Sequence, residues 1–354
     1  MQGFYKGAFA VAKPLPAWKK GLGVSLTLSV AAALFVFLRS FDENTWGSLL
    51  RVKVEYLLAA CGLVLVLWVL EGLRIKLLVY TLNSGKRLAL WDTIQVFLLT
   101  FFFASVTPFS SGEWPAHIYA LNRHGLSVGE SSAVTATRAL ITRLIFTLTA
   151  VSLLVVFRGK LVPTFFNRIY IYAVYVSIFT ALFLFFLLWK THILDGLLQK
   201  ICSLGRVKRW LEGSPAGKKA YFFLNQEFRA FLHTARSLNR FKVGNMFLII
   251  LLSVAFWLCF FSIAPIILLG LGQPVPYLQA LIWQFVIQMI IVYVPLPGGS
   301  GVAELGLASL FAFFVSPSIL GIFVVVWRLL TYYTLLLSGG LIALGKLKPR
   351  KVFP

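Results

Sequence analysis

The chain has 354 residues, of which 59% are hydrophobic and only 12% are charged. A soluble domain carries about 25% charged residues on average, and a soluble fold could not bury so much apolar surface. Apolar stretches of about 18 or more residues recur along the chain, each long enough to cross a bilayer. The composition therefore excludes a soluble protein and predicts an all-α integral membrane protein.

The net charge of +22 would suit a nucleic-acid-binding protein, but the basic residues lie mostly between the apolar segments, as in the cytoplasmic loops of membrane proteins. The sequence has neither zinc-finger spacing nor a basic heptad stretch, so no nucleic-acid partner is predicted. The three cysteines fit neither a metal site nor a disulfide framework. We predict no metal and no other cofactor.

The apolar segments are of two kinds, broken and continuous. Two segments, 91–124 and 277–315, are interrupted by proline and glycine, which break helices. The breaks lie around 107–113 and 295–301, and each half-segment is too short to cross a bilayer alone. The remaining segments are continuous and predict six full spans: 21–39, 56–81, 128–157, 169–189, 244–270 and 317–345.

Lysine and arginine are enriched in residues 1–20, 190–243 and 346–354. This distribution places both termini in the cytoplasm of a multi-pass protein of the cytoplasmic (inner) membrane. Six full spans return the chain to its starting side, so each broken segment must also return to the side from which it enters. Segment 91–124 is predicted to enter from the cytoplasm and 277–315 from outside, which gives two re-entrant hairpins of opposite direction.

An internal repeat supports this topology. Each copy has a glutamine before the break, a proline that opens it, a glutamate after it and an arginine in the following span. These residues are Gln95, Pro108, Glu113 and Arg138 in repeat A (56–157), and Gln284, Pro297, Glu304 and Arg328 in repeat B (244–345). The single span 169–189 between the copies inverts the second relative to the first. Inverted repeats with broken helices at the bilayer midplane recur among transporters.

The two breaks are candidates for an anion site. Unpaired backbone is costly in hydrocarbon, so the breaks are expected to line a shared wet cavity. Helices that start near Ser111 and Gly299 would direct free N–H groups into it. A break that only assists packing is the alternative. The predicted lipid- or phosphate-binding residues of the breaks are Ser110, Ser111, Gly112, Gly298, Gly299, Ser300 and Gly301, with Thr107 as a secondary candidate.

Arg138 and Arg328 lie near the middle of their spans, where an ionised side chain costs at least about 2.5–3.5 kcal/mol. They are predicted to bind the lipid phosphate, and Glu113 and Glu304 are their expected gating or charge partners. Alternatively, two internal salt bridges pin the broken segments to the spans that follow. Both readings are compatible, because phosphate can compete with carboxylate for guanidinium.

Five further polar residues are secondary candidates. Two of them, Glu71 and Arg74, are spaced i, i+3 and are expected to form a local pair, with Lys76 extending to the membrane surface. A role in lipid entry is the less favoured reading of this pair. The remaining three secondary candidates are Arg143, Gln95 and Gln284.

The motifs Thr107-Pro108 through Gly112-Glu113, Arg138, and Pro297 through Gly301 followed by Glu304 resemble the lysylphosphatidylglycerol synthase transmembrane-region family. That family comprises the flippase domain of the multiple peptide resistance factor and its stand-alone relatives. The resemblance covers roughly residues 20–345, and it implies movement of a polar lipid between leaflets, with these residues near the lipid path.

The chain departs from the family at two points. The first break has Phe109, Ser110 and Ser111 where the family is usually richer in glycine. The chain also ends at Pro354, without the soluble aminoacyl-transferase domain of full-length synthases. It is therefore expected to act as a transporter and not to synthesise aminoacylated lipid.

The sequence thus predicts a flippase-like transmembrane domain at 21–345 that moves a polar phospholipid headgroup through a midplane cavity. The alternative is a non-catalytic membrane partner or scaffold of a lipid- or glycan-modifying enzyme, which would dock on the basic segment 190–243. An intramembrane enzyme is disfavoured, because no nucleophile–base pair is recognisable. The expected partners are anionic or phosphate-bearing membrane lipids, and the sequence leaves open both a homodimer and an enzyme partner.

Overall fold

The computed structural model describes residues 17–41, 52–82, 86–157, 164–190, 215–240, 242–274 and 276–346, with residues 43, 45, 47, 193, 195, 196, 200 and 204. Within these ranges the chain forms α-helices and no β-strand, so the predicted all-α class is confirmed. The predicted N-terminal segment 1–20, tail 346–354 and basic segment 190–243 each lie partly outside the described residues.

The described residues form the following α-helices. In chain order they are α1 (Ala17–Ser40), α2 (Val54–Leu82), α3 (Leu90–Ser105), α4 (Glu113–Arg123), α5 (Val128–Val156), α6 (Thr164–Trp189), α7 (Pro215–Arg236), α8 (Val243–Gly270), α9 (Tyr277–Ile291), α10 (Val302–Phe311), α11 (Pro317–Arg328) and α12 (Thr334–Lys346). A five-residue π-helical turn, Leu329–Tyr333, joins α11 to α12 without a break.

Among the described residues, six apolar stretches are long enough to cross a bilayer, and they confirm the predicted spans to within about three residues at each end. They are Lys19–Ser40, Val54–Leu82, Val128–Val156, Phe166–Trp189, Val243–Gly270 and Pro317–Gly345. The start of α5 shows how a local signal fixes such a boundary. Ser127 Oγ accepts a hydrogen bond from Glu130 N at 3.1 Å, and Glu130 Oε2 accepts one from Ser127 N at 2.6 Å. This reciprocal capping box satisfies two donors at the helix start.

Both interrupted segments are broken at the predicted places. The first consists of α3, with 16 residues, and α4, with 11; the second consists of α9, with 15, and α10, with 10. At about 1.5 Å per residue, even α3 is only about 24 Å long, shorter than the roughly 30 Å hydrocarbon core. None of these four helices can span the membrane alone. Re-entry and the inverted repeat stay predictions.

The two breaks share one backbone conformation. Thr107 (φ −122°, ψ 143°) and Leu296 (φ −104°, ψ 140°) are extended residues that precede a proline. Phe109 (φ 54°, ψ 22°) and Gly298 (φ 63°, ψ 14°) then occupy the left-handed region at the position after that proline. The likeness of the two motifs in sequence therefore extends to their local fold.

The chain divides into two compact units. Unit 1 comprises Met1–Cys61, Leu98–Glu113 and Ile263–Pro354, and unit 2 comprises Gly62–Phe97 and Trp114–Ser262. In unit 1, α1 packs against α10 and α11, and the second break also contacts α1. In unit 2, α5 packs against α6 and α7. These boundaries differ from those of repeats A and B.

Candidate functional site

Both breaks lie in unit 1, where Pro108–Ser110 contacts Pro297–Gly299. The first break is the more exposed of the two: the Phe109 side chain is 58% exposed, whereas Pro297 and Gly299 are buried. Unit 1 therefore brings together the two short motifs that the sequence singled out from distant parts of the chain.

The N–H groups of the second break are already bonded within the break. Gly299 N donates to Leu296 O at 3.0 Å, Ser300 N to Pro297 O at 3.2 Å, and Gly301 N to the Glu304 carboxylate at 2.8 Å. The following helix begins at Val302, three residues later than predicted. The expectation of free N–H groups near Gly299 is therefore wrong for these residues.

The first break also satisfies its own donors. Ser111 N donates to Pro108 O at 3.0 Å, and Gly112 N donates to Thr107 Oγ1 at 2.8 Å. Thr107 Oγ1 in turn donates to Phe103 O at 2.7 Å. Helix α4 begins at Glu113 rather than near Ser111. The N–H groups of Ser111, Gly112, Gly299, Ser300 and Gly301 are therefore already hydrogen-bonded, and the side chains around the breaks are the next donors to consider for an anion.

A buried ion pair lies directly after the second break. Arg328 Nε donates to Glu304 Oε1 at 2.7 Å, which is the pairing that the sequence predicted. The two side chains are 5% and 0% exposed. The Glu304 carboxylate also accepts from Gly301 N and from the Ser29 hydroxyl. Three donors thus surround this carboxylate and fix it in place.

The guanidinium of Arg328 retains unused donor capacity. Its Nη2 atom is buried and has no hydrogen-bond partner among the described residues. Its Cζ atom lies 4.4 Å from the ring centroid of Tyr332 and 5.6 Å from that of Trp327. Aromatic faces stabilise a desolvated cation, whereas a buried unsatisfied N–H costs about 1–3 kcal/mol and more in a charged group. The guanidinium is held in a position where an incoming acceptor would relieve that cost.

Two serines of α1 belong to this cluster and were missed by the sequence analysis. Ser25 Oγ lies 3.2 Å from Ser300 Oγ and 3.4 Å from Pro297 O, and it is also hydrogen-bonded to the Tyr332 hydroxyl. Ser29 Oγ lies 2.8 Å from the Tyr333 hydroxyl, besides its bond to Glu304. Serines spaced i, i+4 lie on one helix face, and this pair within an apolar span was the available signal.

The π-helical turn Leu329–Tyr333 presents two phenols to the serines of α1. A π-helical turn widens the helix by one residue and is frequent at functional sites. A Cβ added at Gly298 would meet the Tyr332 hydroxyl, so glycine is required there for this close approach. The resulting cluster combines an ion pair, hydroxyls and aromatic rings, and within the described ranges no three metal-ligating side chains gather.

A second buried charge cluster lies in unit 2. Glu71 and Arg74 form the predicted local pair, with 3.1 Å between Oε2 and Nη1. Glu71 Oε1 also accepts from Arg138 Nε at 2.6 Å, and Arg74 Nη2 donates to Thr142 Oγ1 at 2.6 Å. The sequence analysis did not foresee that Glu71 binds Arg138, because the two are far apart in the chain. The pairing of Arg138 with Glu113 stays a prediction.

The secondary candidates fall at scattered places. Gln284 is buried in α9 of unit 1, and its Nε2 atom has no hydrogen-bond partner within the described part of the chain. Gln95 lies half-buried in α3, and Arg143 lies half-buried on α5 in unit 2. His117 is fully buried in α4 and contacts Thr135 Oγ1 through Nδ1 at 2.7 Å.

Comparison with known proteins gives two matches. The family described as "Lysylphosphatidylglycerol synthase TM region" matches residues 21–339. A protein of Archaeoglobus fulgidus named "UPF0104 membrane protein" is similar to the chain, with 28% identity over 323 residues that cover 90% of this chain and 94% of that protein. No solved structure matches the chain significantly.

Proposed function

The chain belongs to the lysylphosphatidylglycerol synthase transmembrane-region family, and we propose that it is a lipid flippase or transporter rather than an enzyme. It moves a phosphate-bearing lipid headgroup between the leaflets, past the two breaks of unit 1, while the acyl chains remain in the bilayer. The observation that carries this proposal is the buried Arg328 guanidinium, whose Nη2 atom has no partner among the described residues.

The path requires the broken segments to be re-entrant, and contacts at their ends favour this topology. In unit 2, the Lys86 ammonium donates to the Gly125 carbonyl, and these residues flank the first broken segment. In unit 1, Ser316 N lies 3.4 Å from Gln273 Oε1, and these residues flank the second. Each segment would thus start and end on one face of the cytoplasmic membrane, within inverted repeats 56–157 and 244–345.

Phosphate binding at Arg328 follows from the donors around Glu304. A phosphate oxygen accepts from Nη2 of Arg328, in a charge-assisted bond roughly twice as strong as a neutral one. If the phosphate displaces the carboxylate from the guanidinium, Glu304 still accepts from Ser29 and Gly301 N. The carboxylate is therefore never left buried without donors, and it can take the guanidinium back when the lipid leaves.

Arg138 of unit 2 is the second arginine that we propose to contact a lipid headgroup. Its side chain is 15% exposed, whereas Arg74 and Glu71 beside it are 1% and 0% exposed. Arg74 Nη2 also donates to the carbonyl oxygen of Arg138 at 2.9 Å, which fixes the backbone that carries this guanidinium. Arg138 is thus the charged member of the cluster that a headgroup can reach.

Liposome translocation tests the proposal. The full chain is reconstituted with a trace of fluorescent phosphatidylglycerol, and an impermeant reductant measures the label that reaches the outer leaflet. Replacement Arg328→Gln is expected to slow translocation at least about tenfold, since it removes a charge-assisted phosphate contact. Arg229→Gln, an exposed arginine of α7, is the matched control and should have no effect.

Loss of the single arginine could also disturb folding, because it leaves Glu304 buried without its cation. The double replacement Glu304→Leu with Arg328→Met removes both charges, a change that is often neutral or stabilising. This variant should fold, as judged by its unfolding midpoint in detergent, and should not translocate lipid. Wild-type translocation by the folded double variant would overturn the proposal.

The surface of α7 favours a second candidate function, a membrane partner of a lipid- or glycan-modifying enzyme. Phe222 and Leu224 of this helix are 68% and 54% exposed, and Arg229 is also exposed. A partner recovered from membranes and lost on Phe222→Ser with Arg229→Gln, together with absence of lipid translocation by the chain alone, would support this role. Lys208 and Arg209 of the basic segment 190–243 lie outside the described residues.

A further inference from the structure

A groove opens between α2 and α8 in unit 2, on the face of α2 opposite to the buried charge cluster. Its volume is about 470 Å³, which is within the usual range for ligand sites. Leu73 and Leu77 of α2 form one wall, and Leu248 and Leu252 of α8 form the other. Each pair is spaced i, i+4, so each helix contributes one continuous apolar stripe.

Three polar side chains complete the groove: Lys76, Tyr80 and Arg87. The guanidinium of Arg87 lies 6.0 Å from the ring centroid of Tyr80. Lys76 is half-buried, and it makes no ion pair or hydrogen bond with any residue that the structure describes. Two cations thus border an apolar groove, and no described carboxylate neutralises either of them.

The groove lies close to one end of two membrane-spanning helices. Lys76 is six residues from the end of α2 at Leu82, which is about 9 Å along the axis at about 1.5 Å per residue. Helix α8 begins nearby, since Asn245 Nδ2 lies 3.4 Å from Thr81 Oγ1. Leu73 and Leu252 lie deeper in their helices than Lys76, each nine residues from the helix end, so the groove extends from the cations into the apolar part of both spans.

We propose that this groove binds one anionic glycerophospholipid, with its phosphate between Lys76 and Arg87 and an acyl chain along the four leucines. Basic pockets between transmembrane helices recognise anionic headgroups in this manner. The site goes beyond the proposed function, because it contains none of the residues of the breaks or of the two Glu–Arg clusters. It would hold a resident lipid whether or not the chain moves lipids.

Photocrosslinking tests the site in the full chain. The protein is reconstituted in phosphatidylcholine with a trace of phosphatidylglycerol that carries a photoreactive acyl chain, and crosslinked peptides are mapped by mass spectrometry. Crosslinks are expected in 73–80 and 248–252, and unlabelled phosphatidylglycerol should compete with them. The double replacement Lys76→Gln with Arg87→Gln should lower this crosslinking about tenfold or more, since it removes two cations that each attract an anionic lipid.

Two matched controls separate the site from general effects. Arg123 lies 6.0 Å from the ring centroid of Tyr119 without lining the groove, so Arg123→Gln should leave the crosslinks unchanged. Leu252→Trp should fill the groove and abolish them, whereas Leu251→Trp, on the exposed side of α8, should not.

Four results would overturn the proposal: equal competition by phosphatidylcholine, competition by inorganic phosphate, crosslinks that persist in the Lys76/Arg87 double variant, or crosslinks between two copies of the chain at this groove. Because the readout is binding, it is independent of the translocation assay. Slower translocation by Arg328→Gln with unchanged crosslinking would support the proposed function and leave this site intact, whereas wild-type translocation by the folded Glu304→Leu, Arg328→Met variant with unchanged crosslinking would overturn the proposed function alone.

Discussion

Phe109 and Ser110 lie in the left-handed region of backbone space, with φ of 54° and 53°. The left-handed conformation costs a residue with a side chain roughly 1–2 kcal/mol. The matching residues of the second break are Gly298 and Gly299, with φ of 63° and 61°. Phe109 and Ser110 therefore strain the first break, because the second break has glycine at the two matching positions with similar φ.

Replacement Ser110→Gly is therefore expected to raise the free energy of unfolding by about 1 kcal/mol, since the relief of strain exceeds the added entropy of the unfolded chain. Denaturant titration in detergent micelles measures the change. Gly299→Ser is the reciprocal control and should destabilise, because its side chain would also meet Ile291. Equal midpoints for both variants would show that neither break is strained.

Glu71 is the carboxylate on which the charge cluster of unit 2 depends. Replacement Glu71→Ala removes the acceptor of both Arg74 and Arg138, and the loss of one partner from a buried ion pair costs about 3–5 kcal/mol. The same titration measures this loss. Glu130→Ala, which removes only half of a capping box at the start of α5, should cost about 0.5–2 kcal/mol. A smaller effect at Glu71 than at Glu130 would contradict the assignment.

Helix α7 is held to α5 by close backbone contact. Gly129 N donates to the Glu227 carboxylate at 2.7 Å, and a Cβ at Gly129 would lie 2.7 Å from Phe231 N. Leu232 and Ala235 of α7 are buried. This helix is therefore a packed part of unit 2, although the sequence analysis treated it only as part of the basic segment 190–243.

Gly129→Ala should push α7 away from α5, at a cost of about 1–3 kcal/mol, because the new methyl group meets backbone that cannot rotate aside. Hydrogen exchange should become faster in residues 215–236 and stay unchanged in α6. The control is Gly62→Ala in α2, where no atom lies within 4 Å of the added Cβ. Unchanged protection of α7 in the Gly129 variant would show that the helix docks by other contacts.

The topology of the whole molecule can be determined from the membrane face on which each loop lies. Re-entry predicts that single cysteines at Lys86 and His124 react from the same face of the membrane, and that cysteines at Gln273 and Ser316 react from the opposite face. The physical reason is that α3, α4, α9 and α10 are each too short to cross. An impermeant thiol reagent applied to intact and inverted vesicles, with Cys61, Cys202 and Cys259 replaced, makes the measurement.

A control for access is a cysteine at Lys53, which adjoins the Gly270 carbonyl in unit 1 with 2.8 Å between donor and acceptor. It should share the face of Gln273. If the cysteines at Lys86 and His124 react from different faces, the first broken segment crosses the membrane fully, and the inverted repeat is excluded.

Sequence alone determined the properties that depend on neighbours along the chain. Helix length and hydropathy gave the six spans, proline and glycine gave the two breaks, and the spacing of Glu304 and Arg328 predicted their ion pair. The spans and breaks depend on residues close in sequence, because a helix forms from such residues. The Glu304–Arg328 spacing recurs in the repeat as Glu113 and Arg138.

Tertiary structure alone decided which distant side chains meet. Ser25 and Ser29 reach the second break only because α1 packs against α10 and α11, and Glu71 reaches Arg138 only because α2 and α5 bring them together. The N–H groups of Ser111, Gly112, Gly299 and Ser300 find acceptors in the preceding residues because the tight turns fold back on them. Buried polar groups select partners by position in space. The spacing of Ser25 and Ser29 marks one face of an apolar helix, but the sequence does not indicate which distant side chains that face contacts.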